Sequence, residues 1–408
     1  PPRSTLFPYT TLFRSKGSNV RINSIMQNLI YETLLKLHPD TLDYIPSLAT
    51  HWQILRDQKT FRFRINPKAK WSDGTPVTTD DVIASWILRI DPEIGSPDTN
   101  KFFLSFKKPV AESKFIFHVT AKDLDWSMFL NFAARMQIYP AHILKNIDGK
   151  TYIKEYDMKL LPGTGPYEIS LSLTKPGEKV VFTRRKDYWG INERFVEKCY
   201  NFDQIEMIVE PDSDKSFQMF KNGELDVYGV NVASQWINET DFDEVKRGII
   251  QKRKIFNKAP QGFSGFAINC RQAPLNDLKV RKALAYLFNR ELLIEKFFFN
   301  EYVPIDSYYP GSDYSNSKNP IYRYEPKNAA SLLKEAGWKR KNSKEWLSKD
   351  GKIFEISIMC PPTMQDLLKI YGDDLKKAGI KANFEVESQK LLQRIMSHQF
   401  QLSLISWA

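Results

Sequence analysis

Strand, helix and strand follow one another twice along this chain, each time with a glycine where the helix stops, and this order limits the possible folds more than any other feature. Phe354–Met359 is an apolar run of strand length, Met364–Ala378 carries helical periodicity up to Gly379, and Ala382–Val386 reads as the next strand. Earlier, Phe202–Val209 precedes a helix that starts at Ser213, turns Phe217 and Phe220 toward the core and stops at Gly223, with a new strand at Leu225–Tyr228. Alternation of this kind predicts a mixed α/β fold. The 408 residues exceed what one ordinary core holds, so more than one lobe is expected.

The remaining elements follow from the same periodicities. Ile25, Leu29, Ile30, Leu34 and Leu35 recur at helical spacing and predict an amphipathic helix over Arg21–Leu37. Phe61-Arg-Phe-Arg-Ile65 alternates strictly and predicts a half-buried strand. Thr78 with Asp81 three residues on reads as a capping box, opening a helix whose buried face is Val82, Ile83, Trp86, Ile87 and Ile90. Capping accounts for Asp80 and Asp81 without any acid–base role. Gly163-Thr-Gly-Pro-Tyr167 lacks the ending of a phosphate loop and reads as a turn into a strand over Glu168–Leu173. Beyond Ala259 the pattern adds a strand at Phe263–Ile268, a long helix over Asp277–Phe297 and a shorter one over Ala329–Ala336 that ends at Gly337.

Several function classes drop out. The net charge of +11 is spread along the chain, and the densest groups, Arg184-Arg185-Lys186 and Lys339-Arg340-Lys341, sit beside turns, which fits a solvated surface and no nucleic-acid partner. Cys199, Cys270 and Cys360 are far apart and the five histidines are dispersed, so neither a zinc nor a redox motif is present and no cofactor or metal site is expected. No apolar run is long enough to span a membrane. Hydrolase signatures of the nucleophile-elbow or zinc-helix kind are missing, which points away from an enzyme. Thr5–Ser15 resembles the conceptual translation of a sequencing adapter, so Pro1–Ser15 is set aside from the fold.

Eight segments in order resemble the extracellular solute-binding proteins of family 5, the oligopeptide, dipeptide and nickel-binding class. They are Leu29-Ile-Tyr-Glu-Thr-Leu34; Phe61–Ile65 with Lys70-Trp-Ser-Asp-Gly-Thr-Pro-Val77; Asp81-Val82 with Ser85-Trp86; Gly163–Tyr167; Asp187-Tyr-Trp-Gly190; Asn222-Gly-Glu-Leu-Asp226; Asn276-Asp277 with Val280-Arg-Lys-Ala-Leu284; and Glu335-Ala-Gly-Trp338. Within that family, Ala259-Pro-Gln-Gly-Phe263 and Ile305-Asp-Ser-Tyr-Tyr309 look like the subgroup of oligopeptide and microcin C binders.

The resemblance implies an α/β, two-lobed, type II periplasmic-binding-protein (Venus flytrap) fold with an extra subdomain in the first lobe, and it reads the chain as truncated at both ends. Lobe I would comprise 16–37 and 159–258, its extra subdomain 38–158, and lobe II 259–408. The implied function is capture of oligopeptides or peptide-like compounds by lobe closure and delivery to an ABC importer. The implied partners are a peptide ligand and the permease and ATPase subunits, with the binding protein a monomer. Its place would be the periplasm or, as a lipoprotein, the outer face of the cytoplasmic membrane. The alternatives are a nickel- or heme-type binder of the same fold and a peptide receptor or chaperone without transport. By family position Trp407 lines the cleft, Tyr228 and Asn231 face ligand, and Gln261 and Phe263 sit where the chain crosses between lobes. Tyr228 and Phe263 fit a role in the core equally well.

Overall fold

The computed structural model describes residues 28–94, 97–145, 147–156, 160–175, 177–256, 262–310, 312–387 and 390–407. They fall into two compact units that divide between Asp226 and Val227. Pro1–Ser15 and Gln261 lie outside the described residues.

In the first unit the alternating segment becomes the strand Thr60–Ile65, the second strand of a four-stranded antiparallel sheet ordered Ala49–Ile54, Thr60–Ile65, Ile116–Thr120, Val110–Ala111. Phe61, Phe63 and Ile65 are buried while Arg62 and Arg64 are exposed, as a period of two requires. Phe129, on the helix Ser127–Ala134, meets Phe61 edge-on at 5.3 Å and stacks on Phe63 at 5.8 Å. These aromatic contacts set the register, since a slip by one residue would turn both rings to solvent.

The predicted capping box is present. The Asp81 carboxylate accepts from the Thr78 backbone N–H at 2.6 Å and from the Ala141 N–H at 2.7 Å, and the helix runs Thr79–Ile90. Its buried face is Thr79, Asp81, Val82, Ser85, Trp86 and Leu88. Ile87, expected inside, is 48% exposed, because Ser85 and Leu88 take the inward positions on that turn.

A second, three-stranded antiparallel sheet is ordered Tyr167–Ile169, Lys179–Arg184, Gln204–Ile208. The strand expected over Glu168–Leu173 ends at Ile169. Past that point the Leu173 and Thr174 amides bond the Ser170 carbonyl, and the chain turns. The helix expected over Arg21–Leu37 is also corrected where it is described. Residues 28–30 are helical, but Leu35–Leu37 is a strand paired with Tyr44–Pro46, while the carbonyl of fully buried Leu34 accepts from the Ala49 N–H at 2.8 Å.

Three of the eight family-like segments converge in this unit. Glu32, with no exposed side-chain surface, accepts from the Tyr188 hydroxyl at 2.8 Å, the Trp189 indole N–H at 3.0 Å and the Lys36 ammonium at 3.2 Å. The Glu32 N–H bonds the Thr164 hydroxyl at 3.1 Å, and the Gly165 N–H bonds the Ile30 carbonyl at 2.7 Å. A Cβ on Gly163 would stand 2.4 Å from the Ile30 carbonyl oxygen, and one on Gly165 would stand 2.3 Å from that of Leu29. Only glycine lets the two backbones approach so closely.

The second unit is built on a four-stranded sheet ordered Phe263–Ile268, Leu402–Trp407, Glu355–Cys360, Lys381–Val386. The first pair is antiparallel and the other two are parallel. Glu355–Cys360, the helix Gln365–Ala378 and Lys381–Val386 make the expected strand–helix–strand unit, and Gly379 ends the helix at φ +85°. Leu367, Leu368, Tyr371 and Leu375 bury that helix in a core shared with Val280, Leu284, Leu287 and Leu333. The expected long helix over Asp277–Phe297 is two helices, Leu278–Tyr286 and Arg290–Lys296, because the Asn289 side chain accepts from the Leu292 N–H at 3.1 Å and caps a new start. Leu225–Tyr228 is irregular and not a strand. Gly223 turns the chain at φ +78° and Val227 is 85% exposed.

Candidate ligand-binding face

Phe263 begins one edge strand of the second unit's sheet, and Trp407 ends the strand beside it. The antiparallel register places them directly opposite each other. Residues opposite in such a pair project from the same face, so the rings meet. They stack with centroids 4.9 Å apart and planes 21° apart. Tyr308, from the segment after the helix Arg290–Lys296, meets Phe263 at 5.2 Å with planes 60° apart and closes a corner. Next along the ladder the Ser264 and Ser406 hydroxyls are 2.8 Å apart. Trp407 is 42% and Tyr308 72% exposed, so the corner opens to solvent.

Behind it lies a cavity of about 540 Å³, with Phe263, Ser264 and Tyr308 at its edge and Phe266, Phe288 and Tyr371 farther in. Phe266 stacks on Tyr371 at 5.4 Å, and the Tyr371 hydroxyl donates to the Leu284 carbonyl at 3.1 Å. Burial holds that phenol well above its ordinary range, so it stays a neutral donor. On the opposite wall the Arg290 guanidinium donates to the Ile305 carbonyl at 2.9 Å and to Asp306 at 3.0 Å, fixing the segment that carries Tyr308. Planar apolar rings with a few hydroxyls suit apolar or planar ligand groups rather than bond-breaking chemistry.

A larger hollow of about 1100 Å³ in the first unit runs along the helix Thr79–Ile90, but its central polar groups are already engaged: Asp81 with Thr78 and Ala141, and His142 with Asp73 at 2.7 Å. Among the described residues no group of three or more His, Cys, Asp or Glu is gathered as a metal site. No described helix is long and apolar enough to cross a membrane.

Of the residues singled out in the sequence, the structure brings Phe263 and Trp407 together. Tyr228 is half-buried and Asn231 exposed on a separate irregular stretch, where the Asn231 side-chain amide donates to the Gly229 carbonyl at 3.4 Å. Tyr308 was not among those residues. The run Ile305–Tyr309 drew notice only as a family-like string, and nothing local in it places the ring beside Phe263.

The fold is that of the periplasmic-binding-protein class. The chain belongs to the bacterial extracellular solute-binding proteins of family 5, whose middle-region model ("Bacterial extracellular solute-binding proteins, family 5 Middle") matches residues 43–408. That is a family of binding proteins and not of enzymes. Among curated relatives, the "Probable peptide-binding protein YejA" of Agrobacterium fabrum is 26% identical over 93% of this chain and 68% of its own length. The chain spans about two thirds of the length of the curated relatives it matches. Among solved structures, the oligopeptide-binding protein AppA of Bacillus subtilis in complex with a nonapeptide shares the fold with a TM-score of 0.75 at 21% identity, covering 97% of this chain and 76% of that one. NikZ of Campylobacter jejuni in complex with Ni(L-His) does so with 0.74 at 22% identity, covering 98% and 75%.

Proposed function

We propose that this protein captures oligopeptides or peptide-like compounds outside the cytoplasmic membrane and delivers them to the permease and ATPase of an ABC importer. The observation that carries the reading is the stacked Phe263–Trp407 pair, open to solvent at the end of a sheet and joined by the exposed phenol of Tyr308. A surface of rings and small polar groups holds varied side chains, while hydrogen bonds to the shared peptide backbone supply affinity. The peptide-binding relative and the nonapeptide complex of a protein with this fold support the same ligand class.

In this reading 16–37 and 159–258 form lobe I with 38–158 as its subdomain, 259–408 belongs to lobe II, and closure of the lobes presents the loaded form to the permease. Tyr228, Asn231 and Gln261 would line the ligand together with Phe263 and Trp407. The protein works as a monomer, in the periplasm or tethered at the membrane's outer face. A micromolar Kd, about −8 kcal/mol, permits both capture and release.

The nickel complex of NikZ motivates a second reading, in which the ligand is a metal. With no gathered set of metal-ligating side chains among the described residues, that ligand would be a chelated ion rather than a bare one. Native mass spectrometry of protein purified without denaturation separates the two. A spread of peptide-mass adducts supports peptide capture, whereas a single metal-chelate mass overturns it.

A further inference from the structure

We infer that Tyr308 is a specificity-determining residue, the second wall of an aromatic corner that selects peptides carrying an aromatic side chain. The inference rests on the peptide-binding reading and goes beyond it by naming a side chain the site prefers.

The geometry is that of a receptor for a flat ring. The stacked Phe263–Trp407 pair makes one wall, and Tyr308 stands at 60° to Phe263 with centroids 5.2 Å apart. A ligand ring seated against the exposed phenol reaches Phe263 beside it, with the indole stacked on Phe263, and can take the stacked or edge-on arrangements aromatic pairs favour. Tyr308 is 72% exposed, and none of the described hydrogen bonds involves its hydroxyl, so the fold makes little use of this side chain. Its backbone is held nonetheless. The Arg290 guanidinium grips Ile305 and Asp306, and the Asn319 amide donates to the Asp306 carbonyl at 2.7 Å, so the corner exists before a ligand arrives. Preorganised aromatic walls lose little entropy on binding.

The test compares two pentapeptides, one of five alanines and one with phenylalanine at its centre, titrated by calorimetry into the wild-type protein, Tyr308→Ala and Tyr308→Phe. The expected result is that wild type prefers the phenylalanine peptide about three- to tenfold, that Y308A loses most of that preference, with the phenylalanine peptide weakened more than pentaalanine, and that Y308F keeps it. Binding of both peptides with equal affinity by wild type, or a preference that survives in Y308A, overturns the role of Tyr308 and leaves peptide capture standing. Failure of wild type to bind either peptide overturns both. Circular dichroism of Y308A matching wild type separates a binding effect from misfolding.

Discussion

The junction around Glu32 in the first unit and the aromatic corner around Trp407 in the second are built on opposite principles. At the junction three motif segments distant in sequence close on one another and are saturated: a fully buried carboxylate has three donors, and two glycines let one backbone lie against another. At the corner the rings come from three distant segments, stay partly exposed and leave their polar edges open. Three of the strings by which the family can be read in the sequence are therefore scaffold, whereas Phe263 and Tyr308, from two other family-like strings, keep their rings partly open. A buried network tolerates few alternatives because each unpaired member is costly, whereas an exposed ring can change with the ligand at little cost to the fold.

Substitutions should separate the two regions. Glu32→Ala removes the acceptor of the Tyr188 hydroxyl and one of two acceptors of Trp189 and Lys36, which keep Thr164 and Tyr200, and is expected to cost about 3–5 kcal/mol in denaturant unfolding. A loss under about 1 kcal/mol would show that the junction is not a keystone. Gly165→Ala forces a Cβ onto the Leu29 carbonyl and should cost about 1–3 kcal/mol, read as a shift in the urea midpoint at constant slope. Trp407→Ala, by contrast, should cost no more than about 1.5 kcal/mol of stability yet weaken peptide binding roughly tenfold or more. The reverse pattern, large in stability and flat in binding, would make Trp407 a packing residue and erase the contrast.

The smallest effect concerns pH. The Arg62 guanidinium donates to Glu112 and, with His118 beside it at 3.0 Å, holds that carboxyl below its usual range. A depressed folded value means the contribution is full above the unfolded value near 4.3 and is lost as pH falls through the depressed one. Glu112→Gln should therefore flatten the acid limb of the first unit's stability curve by under about 1 kcal/mol, since the pair is exposed. An unchanged acid limb would mean that Arg62 and Glu112 do not act as a pair in solution.

Much of the architecture was legible because it follows from short-range periodicity. Alternation fixed Phe61, Phe63 and Ile65 as an inward row, the apolar run and its glycine stop marked the helix Gln365–Ala378, and Thr78 with Asp81 announced a helix start. Even the break after Tyr286 had a signal in Asn289, a capping residue overlooked within a longer apolar pattern. Other features could not be read locally. Ile87 has the periodicity of a buried residue and is exposed because of what its neighbours pack against, and Leu225–Tyr228 has strand-like composition but no partner strand.

The candidate site is the strongest case. Ser264 and Ser406 face each other across 142 residues of sequence, and the ring stack beside them exists only because two strands pair in one register while a loop is pinned alongside by Arg290. The sequence by itself determined the elements, their order and the family, since these depend on patterns a few residues long. Which rings share a face, and which stay open to a ligand, only the tertiary structure decided, because long-range pairing is set by the joint burial of whole segments rather than by any one of them.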